Sequence, residues 1–178
     1  MRAGAYHGGM EIRPALPAEA AALAGLGARL FRGAYAGQVP EPDIEVYLAA
    51  AFTPAAQVRE ITAAGAAVLV AADAGGLAAY AQLRTSAPPL ARADPRSLEI
   101  ARFYLDPRLQ GTGLASRLMA ACLDWGRERG QATVWLQVWE LNSRAIAFYL
   151  KEGFADAGQT TFQVGNILYR DRVMTRSL

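Results

Sequence analysis

The sequence is poor in the residue types from which many sites are built: among 178 residues it has one histidine and one cysteine, and its one lysine is Lys151. His7 alone cannot supply a histidine-based triad or a histidine-rich metal cluster. It also lies in a leader, 1–9, that has no apolar core of a signal peptide and is expected to be disordered. Cys122 cannot close an intramolecular disulfide, which fits a reducing compartment and a cytoplasmic location. Without a run of lysines there is no basic tail to grip nucleic acid, and 18 basic against 16 acidic residues leave a net charge of +2. The longest apolar run, Ala63 to Ala72, contains Gly65 and stops at Asp73, short of the roughly 18 residues of a membrane span, so no membrane partner is expected.

What is present reads as one α/β domain over 10–178, with Met10 as an alternative start to Met1. The length suits a single core, and 53% hydrophobic with 19% charged residues is ordinary globular usage. Glu11 to Pro14 reads as an edge strand, and Pro17 opens a helix running from Ala20 to Leu30. Ile44, Tyr47, Leu48 and Phe52 recur at helical spacing, and Pro54 starts a further helix carrying Val58 and Ile61. Ala66 to Ala72 and Leu77 to Leu83 flank Asp73-Ala74-Gly75-Gly76, a hairpin pattern. Ser86 to Pro95 is a proline-containing loop. Strand 98–105, loop 106–113, helix 114–129, strand 134–138 and helix 143–152 follow, then strands near 160–164 and 167–174. Strands alternating with crossover helices indicate a mixed sheet.

The loop Arg108-Leu109-Gln110-Gly111-Thr112-Gly113-Leu114-Ala115 links a strand to a helix N-terminus. Glycines let a ligand approach the backbone, and unpaired N–H groups with the positive end of the helix dipole favour a phosphate without a lysine. An ordinary tight turn is the competing reading. A nucleotide-hydrolase P-loop is excluded because Gly113-Leu114-Ala115 stands where Gly-Lys-Ser/Thr is needed, and a dinucleotide fingerprint is weakened by Ser116 at its third position.

Downstream, Asn142…Ala145…Phe148-Tyr149…Gly153-Phe154 follows that loop. Together with Gln110-Gly111-Thr112-Gly113-Leu114-Ala115 it resembles the GCN5-related N-acetyltransferase (GNAT) superfamily over residues 98–154. The resemblance implies a GNAT-type mixed, mostly antiparallel twisted sheet of six to seven strands with helices on both faces. It also implies an N-acetyltransferase using acetyl-CoA as co-substrate and no metal. The backbone of Leu109, Gln110, Gly111, Thr112, Gly113, Leu114 and Ala115 would hold the CoA pyrophosphate. Phe103, Tyr104 and Leu105 would flank the pantetheine arm, and Asn142 would contact it while also capping a helix. Tyr149 matches the family tyrosine near the CoA sulfur, a general acid toward the departing thiolate, or else packs as a core aromatic beside Phe148. Glu99 matches a general base of several family members, or else pairs with a nearby arginine. Cys122 reads as a buried thiol, and Trp135 and Trp139 as core or pocket wall.

Ser97 to Ile100, Val134 to Glu140, Asn142 to Tyr149 and Tyr47 to Phe52 further resemble the PaiA group of spermidine/spermine N-acetyltransferases. That implies a small-molecule polyamine acceptor, with Glu41, Asp43, Glu45 and Glu140 joining Glu99 to make the mouth negative. Other amines (a protein N-terminus, an amino acid, an aminoglycoside) and a non-catalytic CoA-binding module stay open. So does the oligomeric state, a homodimer included.

Overall fold

The computed structural model describes residues 9–165 and 167–178; His7 and all of the expected leader except Gly9 lie outside them. Seven strands form one sheet in the order β1-β2-β3-β4-β5-β7-β6. They are β1 (Glu11–Pro14), β2 (Ala66–Asp73), β3 (Gly76–Thr85), β4 (Ser97–Leu105), β5 (Thr133–Trp139), β6 (Ala155–Val164) and β7 (Ile167–Ser177). Five helices accompany them: α1 (Ala20–Tyr35), α2 (Glu41–Ala51), α3 (Pro54–Thr62), α4 (Leu114–Glu128) and α5 (Ser143–Lys151). Every neighbouring pair is antiparallel except β4 and β5, as the GNAT-type reading expects. None of the described helices is long and apolar enough to cross a membrane.

The two faces are set by side-chain parity. Val68, Val70 and Tyr80 point to the face covered by α1 and α2, where Leu23, Ile44 and Phe52 are buried. Leu69, Ala71, Ala79, Ala81 and Leu83 point to the opposite face, where Leu118, Met119, Cys122 and Ile146 from α4 and α5 cover them. A slip of one residue in β2 would exchange these sets, so burial on both faces pins the register. The Asp73–Gly76 turn pairs β2 with β3 as the sequence predicts, Asp73 accepting from the Gly75 amide at 2.7 Å.

Two boundaries differ from expectation. Helix α1 runs five residues past Leu30, because Phe31 continues the buried stripe and Tyr35 packs its ring 4.5 Å from Phe31. The last two strands are longer than predicted, β7 pairing with β5 as far as Ser177. The largely exposed β6 is held chiefly by backbone pairing to β7.

Helix α1 approaches the sheet closely at Gly27, where an added Cβ would stand 2.6 Å from the Phe52 ring and 2.9 Å from the Tyr80 hydroxyl. Gly25, one turn face away, is exposed with nothing near its missing Cβ. Gly27→Ala should therefore destabilise the domain by about 1–3 kcal/mol through overpacking, while Gly25→Ala should stabilise it by up to about 1 kcal/mol through helix propensity. Urea denaturation of the two variants checks this, since one chemical change must give opposite signs.

Candidate active site

The parallel ladder between β4 and β5 covers only Ser97/Thr133, Leu98/Val134 and Glu99/Trp135. Beyond it the strands diverge. A bulge opposite Gln82 and Leu83 leaves Ala101 without a register partner, bending β4 at the point where pairing stops. The opening is a cleft of about 1400 Å³ lined by 99–105 of β4, 137–139 of β5, the loop at 107–116, the start of α5 and residues of α1. Its strand walls present main-chain groups that no neighbouring strand takes up.

The cleft passes through the sheet. Phe103 faces α5, its ring 5.7 Å from Phe148 and 6.3 Å from Tyr149, while Tyr104 faces α1, 5.6 Å from Tyr80. Leu105 lines the same wall.

Below this lies the glycine loop. Gly111 and Gly113 take φ of 78° and 83°, and Gly113 is the N-cap of α4, so both positions favour glycine. Leu109, Gln110, Gly111, Gly113 and Ala115 line the cleft. The other two do different work: Thr112 donates to the Leu109 carbonyl at 2.6 Å and braces the turn, and Leu114 is buried under α4. The amides of Ala115 and Ser116, in the first turn of α4, have no intrahelical acceptor and stand at the positive end of the helix. This donor set fits an anion such as a pyrophosphate. Arg144 and Lys151 of α5 line the same cleft.

Asp106 holds the loop in place. Its carboxylate, almost wholly buried, accepts from the Arg108 amide at 3.0 Å, from the Arg108 guanidinium at 2.8 and 3.0 Å, and from Arg29 of α1 at 3.1 Å. The Arg108 contacts, then that of Arg29, hold its pKa well below the ordinary carboxylate range.

Tyr149 is 7% exposed and sits among Phe103, Phe148 and Phe154. Burial pushes its hydroxyl pKa above the usual value, with a smaller contribution from Tyr35, so the group is a proton donor throughout the neutral range. Asn142 lines the cleft and caps α5, accepting from the Ala145 amide at 3.1 Å. Cys122 is fully buried, and burial raises its pKa. Trp135 is buried and donates to the Ser86 carbonyl at 2.6 Å, whereas Trp139 lines the cleft.

Glu99 is buried on the wall facing α1, with both oxygens engaged by Arg84 at 2.6 and 2.8 Å. The other acids named from the sequence are not gathered around the cleft. Glu41 and Glu45 both pair with Arg32 on the surface, Asp43 lies against Gly165 at the β6–β7 turn, and Glu140 pairs with Arg170 at 3.1 Å.

The acids that do line it are Glu99, Glu60 and Asp171, two of which the sequence reading missed. Glu60 receives Arg102 at 2.7 Å. Asp171 on β7 is 6% exposed, and burial, then the nearby Glu140 charge, push its carboxyl up to about 6. One signal could have found it: Asp171 shares the strand parity of Tyr169 and Val173, an acid within an inward-facing series.

An open mixed sheet whose two parallel strands part over a helix N-terminus with unpaired amides, with Tyr149 lining the gap, is the arrangement expected of an acyl-transfer scaffold. The chain belongs to the acetyltransferase (GNAT) family, whose model matches residues 29–154, and is a GNAT-family N-acetyltransferase. It is 36% identical over 160 residues to an uncharacterized N-acetyltransferase of Mycobacterium tuberculosis, covering 88% of this chain and 96% of the relative. The N-alpha-acetyltransferase RimI of the same organism is 32% identical over 105 residues, 59% of this chain and 62% of the relative. Among solved structures, the PaiA N-acetyltransferase of Thermoplasma acidophilum in complex with coenzyme A shares the fold. Its TM-score is 0.78 at 20% identity, over 96% of this chain and 99% of that one.

The buried Asp106 network gives a prediction of stability. A carboxyl depressed in the folded state stabilises fully above its unfolded pKa of about 4, and that contribution is lost as pH falls toward the folded value. Asp106→Asn should cost roughly 1–3 kcal/mol at pH 7. The gap to the parent protein should hold from about pH 5 to 8 and shrink below about pH 4, as read by urea denaturation across pH.

Proposed function

We propose that this enzyme transfers the acetyl group of acetyl-CoA directly to a primary amine of a small polyamine. The observation that carries the reading is the single cleft that joins the Gly111–Gly113 loop to Tyr149 and continues through the sheet into a chamber lined by aromatic rings and carboxylates. When bound, acetyl-CoA supplies the thioester. The amides of the loop receive the pyrophosphate at the α4 N-terminus, and the open edges of β4 and β5 flank the pantetheine arm beside Phe103, Leu105 and Asn142. Tyr149 keeps its proton until the sulfur departs, then donates it.

The chamber beyond the gap suits an alkylammonium. Tyr35, Tyr47, Tyr104, Trp139 and Phe162 line it together with Glu60, Glu99 and Asp171, and aromatic faces and carboxylates both attract cations. Glu41, Asp43, Glu45 and Glu140 lie outside the cleft lining and act, in this reading, only as a longer-range negative field. An amine with pKa near 10.4 is about one part in a thousand or less neutral at pH 7, so the acceptor needs a carboxylate to remove a proton.

A peptide N-terminus is the second reading, favoured by the 32% identity to an N-alpha-acetyltransferase. CoA release measured with spermidine, spermine, a single-amine analogue of equal length, an amino acid and an N-terminal peptide decides between them. The polyamines are expected to react fastest; a peptide or amino acid clearly ahead would replace the polyamine assignment.

Two variants test the site. Gly113→Asp should abolish acetyl-CoA binding in calorimetry, because it strains a left-handed position and sets like charge against phosphate. Tyr149→Phe should lower turnover by about ten- to a thousandfold with little change in CoA affinity; unchanged turnover, with chemistry limiting, would make Tyr149 a packing residue.

A further inference from the structure

Three carboxylates are buried among the described residues: Glu99, Asp106 and Asp171. Burying an ionised carboxylate is costly unless a cation or several donors compensate. Glu99 is held by Arg84 and Asp106 by Arg108 and Arg29. Asp171 has no cation against it among the described residues, and the charge that acts on it is that of another acid, Glu140. Among the described residues no arginine is paired with this one buried acid.

Its surroundings describe what would compensate it. Asp171 lies opposite Trp139 of β5 and Thr160 of β6. The Trp139 ring is 6.1 Å from that of Tyr35 and meets Tyr169 edge-on at the same separation. A carboxylate sharing a cleft with aromatic rings is the donor set for an alkylammonium. Tyr35, on the five-residue extension of α1, lies within electrostatic reach of both Asp171 and Tyr149, and all three line the same cleft.

We infer that Asp171 is the carboxylate that receives the acceptor's ammonium group and takes its proton before attack. This rests on the acetyl-transfer reading above and holds for any amine acceptor. The ammonium gives one proton to Asp171. The freed nitrogen lone pair forms the C–N bond at the thioester carbonyl, and the C–S bond breaks with its electron pair going to sulfur. Tyr149 protonates that sulfur and regains a proton from the new, initially cationic, amide nitrogen. Asp171 then returns its proton to water, so one ammonium ion and one acetyl-CoA give one amide, one CoA and one proton.

The groups facing Asp171 are Tyr35 from α1, Tyr169 on its own strand, and Glu140 after β5, the last already paired with Arg170; Thr160 faces it from β6. The carboxyl raised to about 6 is ionised above that pH and protonated below it. A desolvated site also narrows the gap to the ammonium, since burial raises the one pKa and lowers the other.

The test is Asp171→Asn in the full chain, with folding checked by circular dichroism and acetyl-CoA affinity by calorimetry. For the parent, kcat/KM for a diamine should rise through about pH 6 and then level toward pH 8. In Asp171→Asn it should fall by about 10²–10⁴-fold, acetyl-CoA affinity should hold, and the remaining rate should climb with the free-amine fraction to above about pH 9. Asp171→Glu should restore part of the activity. Butylammonium binding to the CoA-bound protein, read by calorimetry, should weaken at least about tenfold in Asp171→Asn, the loss of one charge-assisted contact. Wild-type kcat/KM, pH profile or butylammonium affinity in that variant would overturn the inference. Asp171-dependent butylammonium binding in a protein that releases CoA with no amine would instead strike the acetyl-transfer reading and leave the ammonium site standing.

Discussion

Everything at the site depends on the parting of two parallel strands. β4 and β5 share three register positions and then separate, which a sheet tolerates only if the freed main-chain groups meet something polar. The bulge at Ala101 bends β4 away, and Phe103 and Tyr104 carry the opening to opposite faces. One irregularity in an otherwise continuous seven-stranded ladder thereby joins the glycine loop and the α4 N-terminus on one side to an aromatic chamber on the other. The helices serve that opening: α4 brings its N-terminus beneath it, α5 brings Asn142 and Tyr149, and α1 and α2 roof the far chamber.

The electrostatics follow the same plan. Arginine is almost the only cation available, and its planar fork is spent on buried or half-buried acids: Arg84 on Glu99, Arg102 on Glu60, Arg108 and Arg29 on Asp106. Such pairs cost desolvation energy and are retained where geometry matters. Asp106 is the clearest case, since its three sets of donors tie the glycine loop to α1. Asp171 stands apart from this pattern, and its position beside Tyr35 and Trp139 gives the exception a chemical meaning.

Much of the fold was legible along the chain. The Asp73–Gly76 hairpin, the proline-opened helices, the glycine loop before α4 and the Asn142 cap are local patterns, each written in a few consecutive residues whose backbone preferences agree. The family motifs are of the same kind, and the residues they single out, Gly111, Gly113, Asn142 and Tyr149, all line the cleft. The acceptor side was not legible in that way. Glu41, Asp43 and Glu45 cluster in sequence but turn to Arg32 and to the β6–β7 turn, because exposed acids on a helix settle on the nearest cation rather than on a distant cleft.

What the sequence determined by itself was therefore the elements, the glycine loop and the class of chemistry, because short-range sterics and hydrogen bonding decide them. What only the tertiary structure decided was which side chains share the chamber. Tyr35, Glu60, Glu99 and Asp171 come from four elements far apart in the chain, and their meeting depends on strand order and register. Those are set by burial summed over both faces of the sheet, a quantity no local pattern contains.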